Sequence, residues 1–175
     1  KRWMYEESFK MPLLMRLPNK IKPNTVSNDL IMNIDYAPTM LDFAGIKIPK
    51  EMQGKSFKFV FEESNQIGRD AVYYHYYEYP IWHKVQPHYG IRTDKYKLMH
   101  FYYSMDEWEL YDIESDPQEM HNIYNEAPEE LILDLKQKLE HVRMDYKDDY
   151  SIDEMKVMTD TVIKRVYNEP NKVNK

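Results

Sequence analysis

The sequence contains no cysteine among its 175 residues. Disulfide bridges, thiolate metal sites and a cysteine nucleophile are therefore excluded within these residues, whereas the cellular compartment stays open, because cysteine-free chains suit both cytosol and periplasm. Long apolar runs are also missing. The sequence consequently predicts neither a membrane span nor a signal peptide within these residues, and either feature would lie upstream. The chain begins with Lys rather than Met, so we expect a fragment or a processed product.

The sequence also lacks an excess of basic residues. The chain has 24 Lys and Arg against 30 Asp and Glu, a net charge of −6, with both signs interleaved. Sequence-independent nucleic-acid binding needs a basic face, so that class of function is disfavoured. Common catalytic motifs are missing too: the sequence has no His-Glu-x-x-His, P-loop, Gly-x-Ser-x-Gly or calcium-loop spacing of carboxylates.

What the sequence does contain is an aromatic-rich stretch, His88–Asn122, with the pattern of consecutive antiparallel strands. Aromatic and β-branched residues suit a pleated, half-buried surface. The polar pair Asp94–Lys95 fits a two-residue turn. An earlier strand is predicted over Ala71–Tyr79, and the strands of the stretch itself are Tyr89–Thr93, Tyr96–Tyr103 and Trp108–Tyr111.

Strand alternation assigns side chains of the central strand to two faces. Leu98 and His100 share one face, and Lys97 and Met99 share the other. After the strands, the Asp-Pro turn predicts a capped turn in which Glu119 reaches back to its own backbone. A sheet of this kind does not by itself indicate any chemistry.

Helices are predicted on both sides of this stretch. Asp35 is the expected N-cap of a helix over Tyr36–Ala44. A second helix starts at Pro128 and its apolar spacing predicts that it lies across the sheet, and a weaker helix covers residues 154–167. The nearly continuous apolar run Met11–Leu17 predicts a strand buried on both faces, at the end of a larger parallel sheet.

Six histidines are the candidates for polar chemistry, and most of them have a structural explanation. Those in regular elements or at surface positions are His75, His100, His121 and His141. His83 and His88 lie in or beside the irregular loop Tyr79–His88, together with Trp82 and Lys84. Loops at the edge of a sheet are where ligands are often held, so His83 and His88 are the predicted substrate-binding residues.

Four ordered segments resemble the formylglycine-dependent (type I) sulfatases, especially their bacterial carbohydrate members. Lys1–Pro12 is similar to K-x-x-x-Y-E-x-x-x-R-x-P, and Asn33–Gly45 followed by Met52–Ser56 is similar to the next family segment. The stretch after residue 88 has G-I-R-T-x-x-Y-K-L, E-L-Y-D and D-P-x-E-x-x-N in the family's order. The resemblance covers about residues 1–145, with Lys10 in place of the usual Arg.

The resemblance implies an α/β, alkaline-phosphatase-like fold. The chain would comprise the C-terminal part of the large α/β domain and a small four-stranded antiparallel sheet subdomain with a packing C-terminal helix. The expected boundaries are 1–62 for the end of the large domain, 69–150 for the sheet subdomain with its helix, and 151–175 for a helical or frayed tail.

The resemblance also implies the hydrolysis of sulfate esters on sugars or glycosaminoglycans. Formylglycine and calcium, the cofactors of the family, would both be supplied by residues upstream of this chain, which by itself would bind no metal and be inactive. Lys1, which opens K-x-x-x-Y-E, is the predicted catalytic residue, because its ammonium group can neutralise charge on the sulfuryl oxygens.

The expected partners are a sulfated sugar substrate and the upstream N-terminal sulfatase region, and the resemblance favours a periplasmic or secreted protein. Two alternatives stay open. One is another hydrolase of the alkaline-phosphatase superfamily, such as a phosphodiesterase or phosphonate hydrolase, and the other is a non-catalytic glycan-binding module that uses the 16 tyrosines.

Overall fold

Four consecutive antiparallel strands form the sheet in the computed structural model of the chain, which describes residues 2–62, 68–81 and 83–168. The sheet order β1-β2-β3-β4 follows the chain order. The strands are β1 (Ala71–Tyr76), β2 (His88–Thr93), β3 (Tyr96–Phe101) and β4 (Glu107–Asp112). The predicted strand arrangement is confirmed.

The turn between β2 and β3 has the predicted two residues, since β2 ends at Thr93 and β3 begins at Tyr96. The Thr93 hydroxyl closes this turn by accepting a hydrogen bond from the Tyr96 amide at 2.9 Å. Such a short connection leaves no freedom in register, which matters because a slip by one residue would exchange the two faces of the sheet.

Both faces of the sheet are covered. On one face, Leu98 and Leu110 pack with Leu135 and Leu139 of helix α3 (Glu129–Asp145). On the other face, a smaller cluster joins the strands to the start of the chain through Met4, Met99, Phe101 and Tyr111. The predicted helix across the sheet is therefore confirmed, and the second face is buried by a segment that sequence analysis did not place there.

Among the described residues, two further α-helices precede α3 and one follows it. They are α1 (Glu6–Phe9), α2 (Tyr36–Phe43) and α4 (Ile152–Ile163), which continues into a π-helical turn over Lys164–Asn168. Helix α4 begins at a reciprocal cap, in which the Glu154 amide donates to Ser151 Oγ and the Ser151 amide donates to the Glu154 carboxylate. No helix among the described residues has both the length and the hydropathy needed to cross a bilayer.

Contacts divide the chain into two units, residues 12–72 and residues 1–11 with 73–175. The boundaries proposed from sequence, near 62–69 and 150, concern the whole protein and stay predictions. Within this chain, the first eleven residues belong with the sheet.

Two predictions concern residues 11–72. Met11–Leu17 forms no strand in this chain, and Leu14 is 95% exposed. The strand was predicted as the end of a larger sheet, and no described segment pairs with it, so it stays a prediction for the parent protein. Asp35 is the N-cap residue of α2, as predicted, but its side chain makes no capping hydrogen bond to the helix. Its carboxylate instead forms an ion pair with Arg69 and accepts a hydrogen bond from the Lys55 amide at 2.9 Å.

Candidate functional site

The segment 2–10 lies in close contact with the sheet. Met4 is fully buried against Met99 and Phe101. Gly90 on the neighbouring strand permits this approach, because a Cβ at that position would lie 3.0 Å from the Met4 sulfur and 2.2 Å from the Leu98 carbonyl oxygen. The glycine of the G-I-R-T motif is therefore needed for close packing of the strand and the segment.

A buried lysine fixes the same segment. The Lys97 ammonium group has no solvent exposure and lies 2.9 Å from Glu6 Oε1 and 2.6 Å from Glu119 Oε1. It also donates to the Met4 carbonyl oxygen at 2.5 Å. Two carboxylates and a carbonyl oxygen thus surround one buried ammonium group, and the two ion pairs offset the cost of burying its charge.

Glu119 and Arg92 complete this group, which we call the Lys97 network (Lys97, Glu6, Glu119 and Arg92). The Glu6 amide donates to Glu119 Oε2 at 2.5 Å, and Arg92 Nε lies 3.5 Å from Glu6 Oε1. Burial alone would raise the pKa of Glu6, but the nearby Lys97 and Arg92 charges lower it below its usual value. Glu6 is therefore held as a carboxylate at neutral pH.

The position of Glu119 corrects the predicted capped turn. Its backbone has φ 54°, and its carboxylate leaves the turn to reach Lys97 and the Glu6 amide. The four residues of the Lys97 network come from three separate motifs of the sequence: Glu6 from Y-E, Arg92 and Lys97 from G-I-R-T-x-x-Y-K-L, and Glu119 from D-P-x-E-x-x-N. Sequence analysis found these motifs but did not predict that they meet.

The first described residues are held at a second point. Tyr74 donates a hydrogen bond to the Arg2 carbonyl oxygen at 2.8 Å, and Arg2 Nε lies 3.5 Å from the Glu78 carboxylate. Trp3 stacks on the His88 ring with 5.6 Å between ring centroids and 23° between ring planes. The backbone next to Lys1 is thus fixed by contacts on both sides of Trp3.

The three predicted site residues have different positions. Lys1 lies outside the described residues, as does Trp82. His83 is exposed in the loop after β1, where a direct contact with a ligand is possible. His88 has no solvent exposure, and burial lowers its pKa to about 4, so the ring is neutral at physiological pH. The binding roles of His83 and His88 stay predictions.

The remaining buried histidines have structural partners, as predicted. His75 bonds through Nδ1 to Asp148 at 2.6 Å and through Nε2 to the Tyr102 hydroxyl at 2.9 Å. Asp148 also accepts from the Tyr73 hydroxyl. Burial would raise the pKa of Asp148, but the bonds from His75 and the tyrosines hold it at about 2. This group joins the turn between α3 and α4 to the edge strand β1.

His100 is likewise a sheet residue. Its ring stacks on Trp108 with 4.1 Å between centroids, and Nε2 lies 2.7 Å from the Asp106 carboxylate. The ammonium group of Lys136 lies 4.1 Å from the Trp108 ring centroid, at cation–π distance. The described part of the chain contains no group of three His, Asp or Glu side chains arranged to hold a metal ion.

Comparison with known proteins identifies relatives across most of the chain. Residues 1–145 match the family model described as N-sulphoglucosamine sulphohydrolase, C-terminal. An N-acetylglucosamine-6-O-sulfatase of Bacteroides thetaiotaomicron is 49% identical over 152 residues, which cover 85% of this chain and 27% of that protein. The chain therefore spans about a quarter of the length of this relative.

Two solved structures have folds similar to that of this chain. A protein solved in complex with its substrate D-glucosamine-2-N,6-O-disulfate is 48% identical, with a TM-score of 0.82 over 86% of this chain and 31% of that one. The phosphonate monoester hydrolase of Agrobacterium radiobacter, 24% identical, has a TM-score of 0.51 over 63% of this chain and 24% of that one. The second likeness concerns the fold alone. Together they confirm the predicted alkaline-phosphatase-like fold class.

We predict that the substitution Lys97→Met destabilises the 175-residue chain by about 3–5 kcal/mol, because two buried carboxylates lose their cation. Urea unfolding measures this loss. Lys95→Met is the matched control, since Lys95 is 47% exposed and water screens its ion pairs with Asp112 and Glu114, so that their loss should change stability little. Equal, small losses in the two variants would show that the Lys97 network does not hold the segment.

Proposed function

Because this chain belongs to the sulfatases, within the N-sulphoglucosamine sulphohydrolase C-terminal family, we propose that its parent protein hydrolyses the 6-O-sulfate ester of glucosamine or N-acetylglucosamine. The observation that supports this most strongly is the 49% identity over 152 residues with an N-acetylglucosamine-6-O-sulfatase. The relative solved with D-glucosamine-2-N,6-O-disulfate supports the same class of sugar.

The nucleophile and the metal of this reaction come from outside the chain. The sequence has no cysteine from which formylglycine could be made, and the described residues have no arrangement of ligands for calcium. When bound, calcium supplies positive charge to the sulfate group, and formylglycine supplies the attacking oxygen. The upstream N-terminal region is therefore the required partner of this chain, and a periplasmic or secreted location fits a sulfatase of this kind.

The residues of this chain contribute binding and orientation. Lys1 would place a positive charge on the sulfuryl oxygens or on the leaving oxygen, where negative charge increases in the transition state. Lys1 is bonded to Arg2, whose carbonyl oxygen is held by Tyr74, and the Lys97 network holds the segment at Met4 and Glu6. A fixed backbone is what such a cation needs, because a preorganised charge requires no rearrangement during the reaction.

The loop after β1 would contact the sugar beyond the ester. His83 is exposed there and can donate to or accept from a sugar hydroxyl. His88, which is buried, would act on the substrate through the residues that cover it. The proposed roles of the loop thus differ between its two histidines.

Two other functions are alternatives that the experiments below would identify. A phosphodiesterase or phosphonate hydrolase shares the fold, and faster cleavage of a phosphate diester or phosphonate monoester than of the sugar sulfate would identify it. A glycan-binding module would bind sugars without turnover. Neither has support in this chain comparable to the identity with the 6-O-sulfatase.

We expect the parent protein to hydrolyse N-acetylglucosamine-6-sulfate with a kcat/KM at least about tenfold above that for N-acetylgalactosamine-6-sulfate. The 4-hydroxyl is equatorial in the first sugar and axial in the second, and the loss of one hydrogen bond to the equatorial hydroxyl costs about 1.4 kcal/mol. Release of sulfate measures both rates. Faster cleavage of a phosphonate monoester would contradict the proposal, and so would binding of both sugars without release of sulfate.

The substitution Lys1→Ala in the parent should lower kcat for N-acetylglucosamine-6-sulfate by at least ~10²-fold, the usual effect of removing one group that stabilises transition-state charge. Lys20→Ala is the control, because Lys20 is an exposed lysine of the same chain. A kcat close to wild type in Lys1→Ala would show that the motif had been aligned incorrectly.

A further inference from the structure

Helix α4 is connected to the loop that follows β1 (residues 77–87). The Tyr103 hydroxyl, two residues after β3, donates to Asp160 Oδ1 of α4 at 2.6 Å. This bond raises the pKa of Tyr103 to about 12. The Tyr103 ring packs on Tyr79 of the loop, with 5.4 Å between ring centroids. Tyr103 therefore lies between the helix and the loop and contacts both.

A second contact comes from the π-helical turn at the end of α4. The Tyr167 hydroxyl donates to the Pro80 carbonyl oxygen at 3.3 Å. Pro80 directly follows Tyr79, so two successive residues of the loop are connected to the same helix. All of these residues belong to the unit formed by residues 1–11 and 73–175, so the contacts need no residue of the upstream region.

Helix α4 is itself fixed to the sheet. Met155 in its first half is buried in the core cluster between the sheet and α3, and Thr159 is buried one turn later. The turn before α4 carries Asp148, which bonds to His75 of the edge strand β1. A helix that is packed in the core along one part of its length is a rigid support for a loop that contacts the other part.

Residues 146–168 lie outside the match to the family model, which covers residues 1–145. We propose that α4 and its π-helical turn hold the loop after β1 in the position in which it contacts the sugar, with Tyr103, Asp160 and Tyr167 as positioning residues. This inference rests on the proposed function, from which it takes the contact between loop and sugar. None of the three residues needs to touch the substrate, because their contacts are with the loop.

The position of a loop affects sugar binding more than the chemical step. Sugar hydroxyls are recognised by hydrogen bonds, which weaken steeply with distance and angle. A loop without support also loses conformational freedom when the sugar binds, and this loss weakens binding. We therefore expect KM to depend on α4, and kcat to depend on it little.

Amide hydrogen exchange in the parent protein tests the support of the loop without turnover. The amides of Tyr79 and Ile81 donate to carbonyl oxygens within the loop, so their exchange reports its opening. Exchange at both amides should become faster in Asp160→Ala and in Tyr103→Phe, with β3 still protected. Asp160→Asn keeps an acceptor oxygen and should behave like the wild type.

Asp153→Ala is the matched control, because Asp153 is an acidic residue of the same helix about two turns before Asp160. Its exchange in the loop should equal that of the wild type. Unchanged exchange at Tyr79 and Ile81 in both Asp160→Ala and Tyr103→Phe would overturn the inference. Thermal unfolding identifies any variant that fails to fold, and Tyr103→Phe, which keeps its ring, is the milder of the two changes.

Kinetics test the effect on the substrate. KM for N-acetylglucosamine-6-sulfate should rise about fivefold in Asp160→Ala and in Tyr103→Phe, which corresponds to the loss of one hydrogen bond, and kcat should change little. The double variant should have the KM of either single variant, because both changes remove the same bond. Tyr167→Phe removes a separate contact, so its effect should add to that of Asp160→Ala.

Inorganic sulfate, which occupies only the sulfate pocket, should inhibit the variants as it inhibits the wild type. Faster exchange in the loop with unaltered KM, or an equal weakening of sugar and sulfate binding, would overturn the role of α4 in sugar recognition while the proposed function stands. A wild-type parent that releases no sulfate from this sugar would overturn the proposed function and this role together, whereas the exchange measurement would still decide whether α4 holds the loop.

Discussion

The structure of residues 1–11 and 73–175 depends on a single buried ammonium group. Removing a lysine charge from water costs several kcal/mol, and this cost is offset only when the partners surround the charge closely. Lys97 meets that condition through Glu6, Glu119 and the Met4 carbonyl oxygen. Because Glu6 and Glu119 lie 113 positions apart in the chain, one ion network joins the start of the chain, the central strand and the turn after β4.

The elements with local signals were predictable from sequence, and the contacts between them were not. Alternation along Tyr96–Phe101 correctly assigned Lys97 to the face of Met99, and the spacing of Leu135 and Leu139 correctly predicted that α3 lies across the sheet. A single sequence does not show which distant carboxylates will pair with a buried lysine and offset the cost of burying its charge. For the same reason the indole on His88 was missed, because the two residues are far apart in the chain. The strand predicted over Met11–Leu17 stays a prediction for the parent protein, because a buried strand requires neighbouring strands that the described residues do not contain.

The small sheet acts as a support for a short segment that leads to the proposed active site. The cluster around Met4 and the Lys97 network fix the segment from inside, and Tyr74 and His88 fix it near Lys1. The motifs that carry the family resemblance are, in this chain, mainly the residues of that support. Their proposed role is therefore one of positioning, and we propose that the region outside this chain supplies the nucleophile and the metal.

Amide hydrogen exchange in the parent protein tests this account most directly. In Glu119→Ala, the Glu6 amide loses its acceptor and Lys97 loses a counter-ion. We predict faster exchange at Glu6–Phe9 with β3 still protected, and no such change in the control Glu114→Ala, whose side chain is 73% exposed. Unchanged exchange at Glu6–Phe9 in Glu119→Ala would contradict the claim that the Lys97 network holds the segment in place.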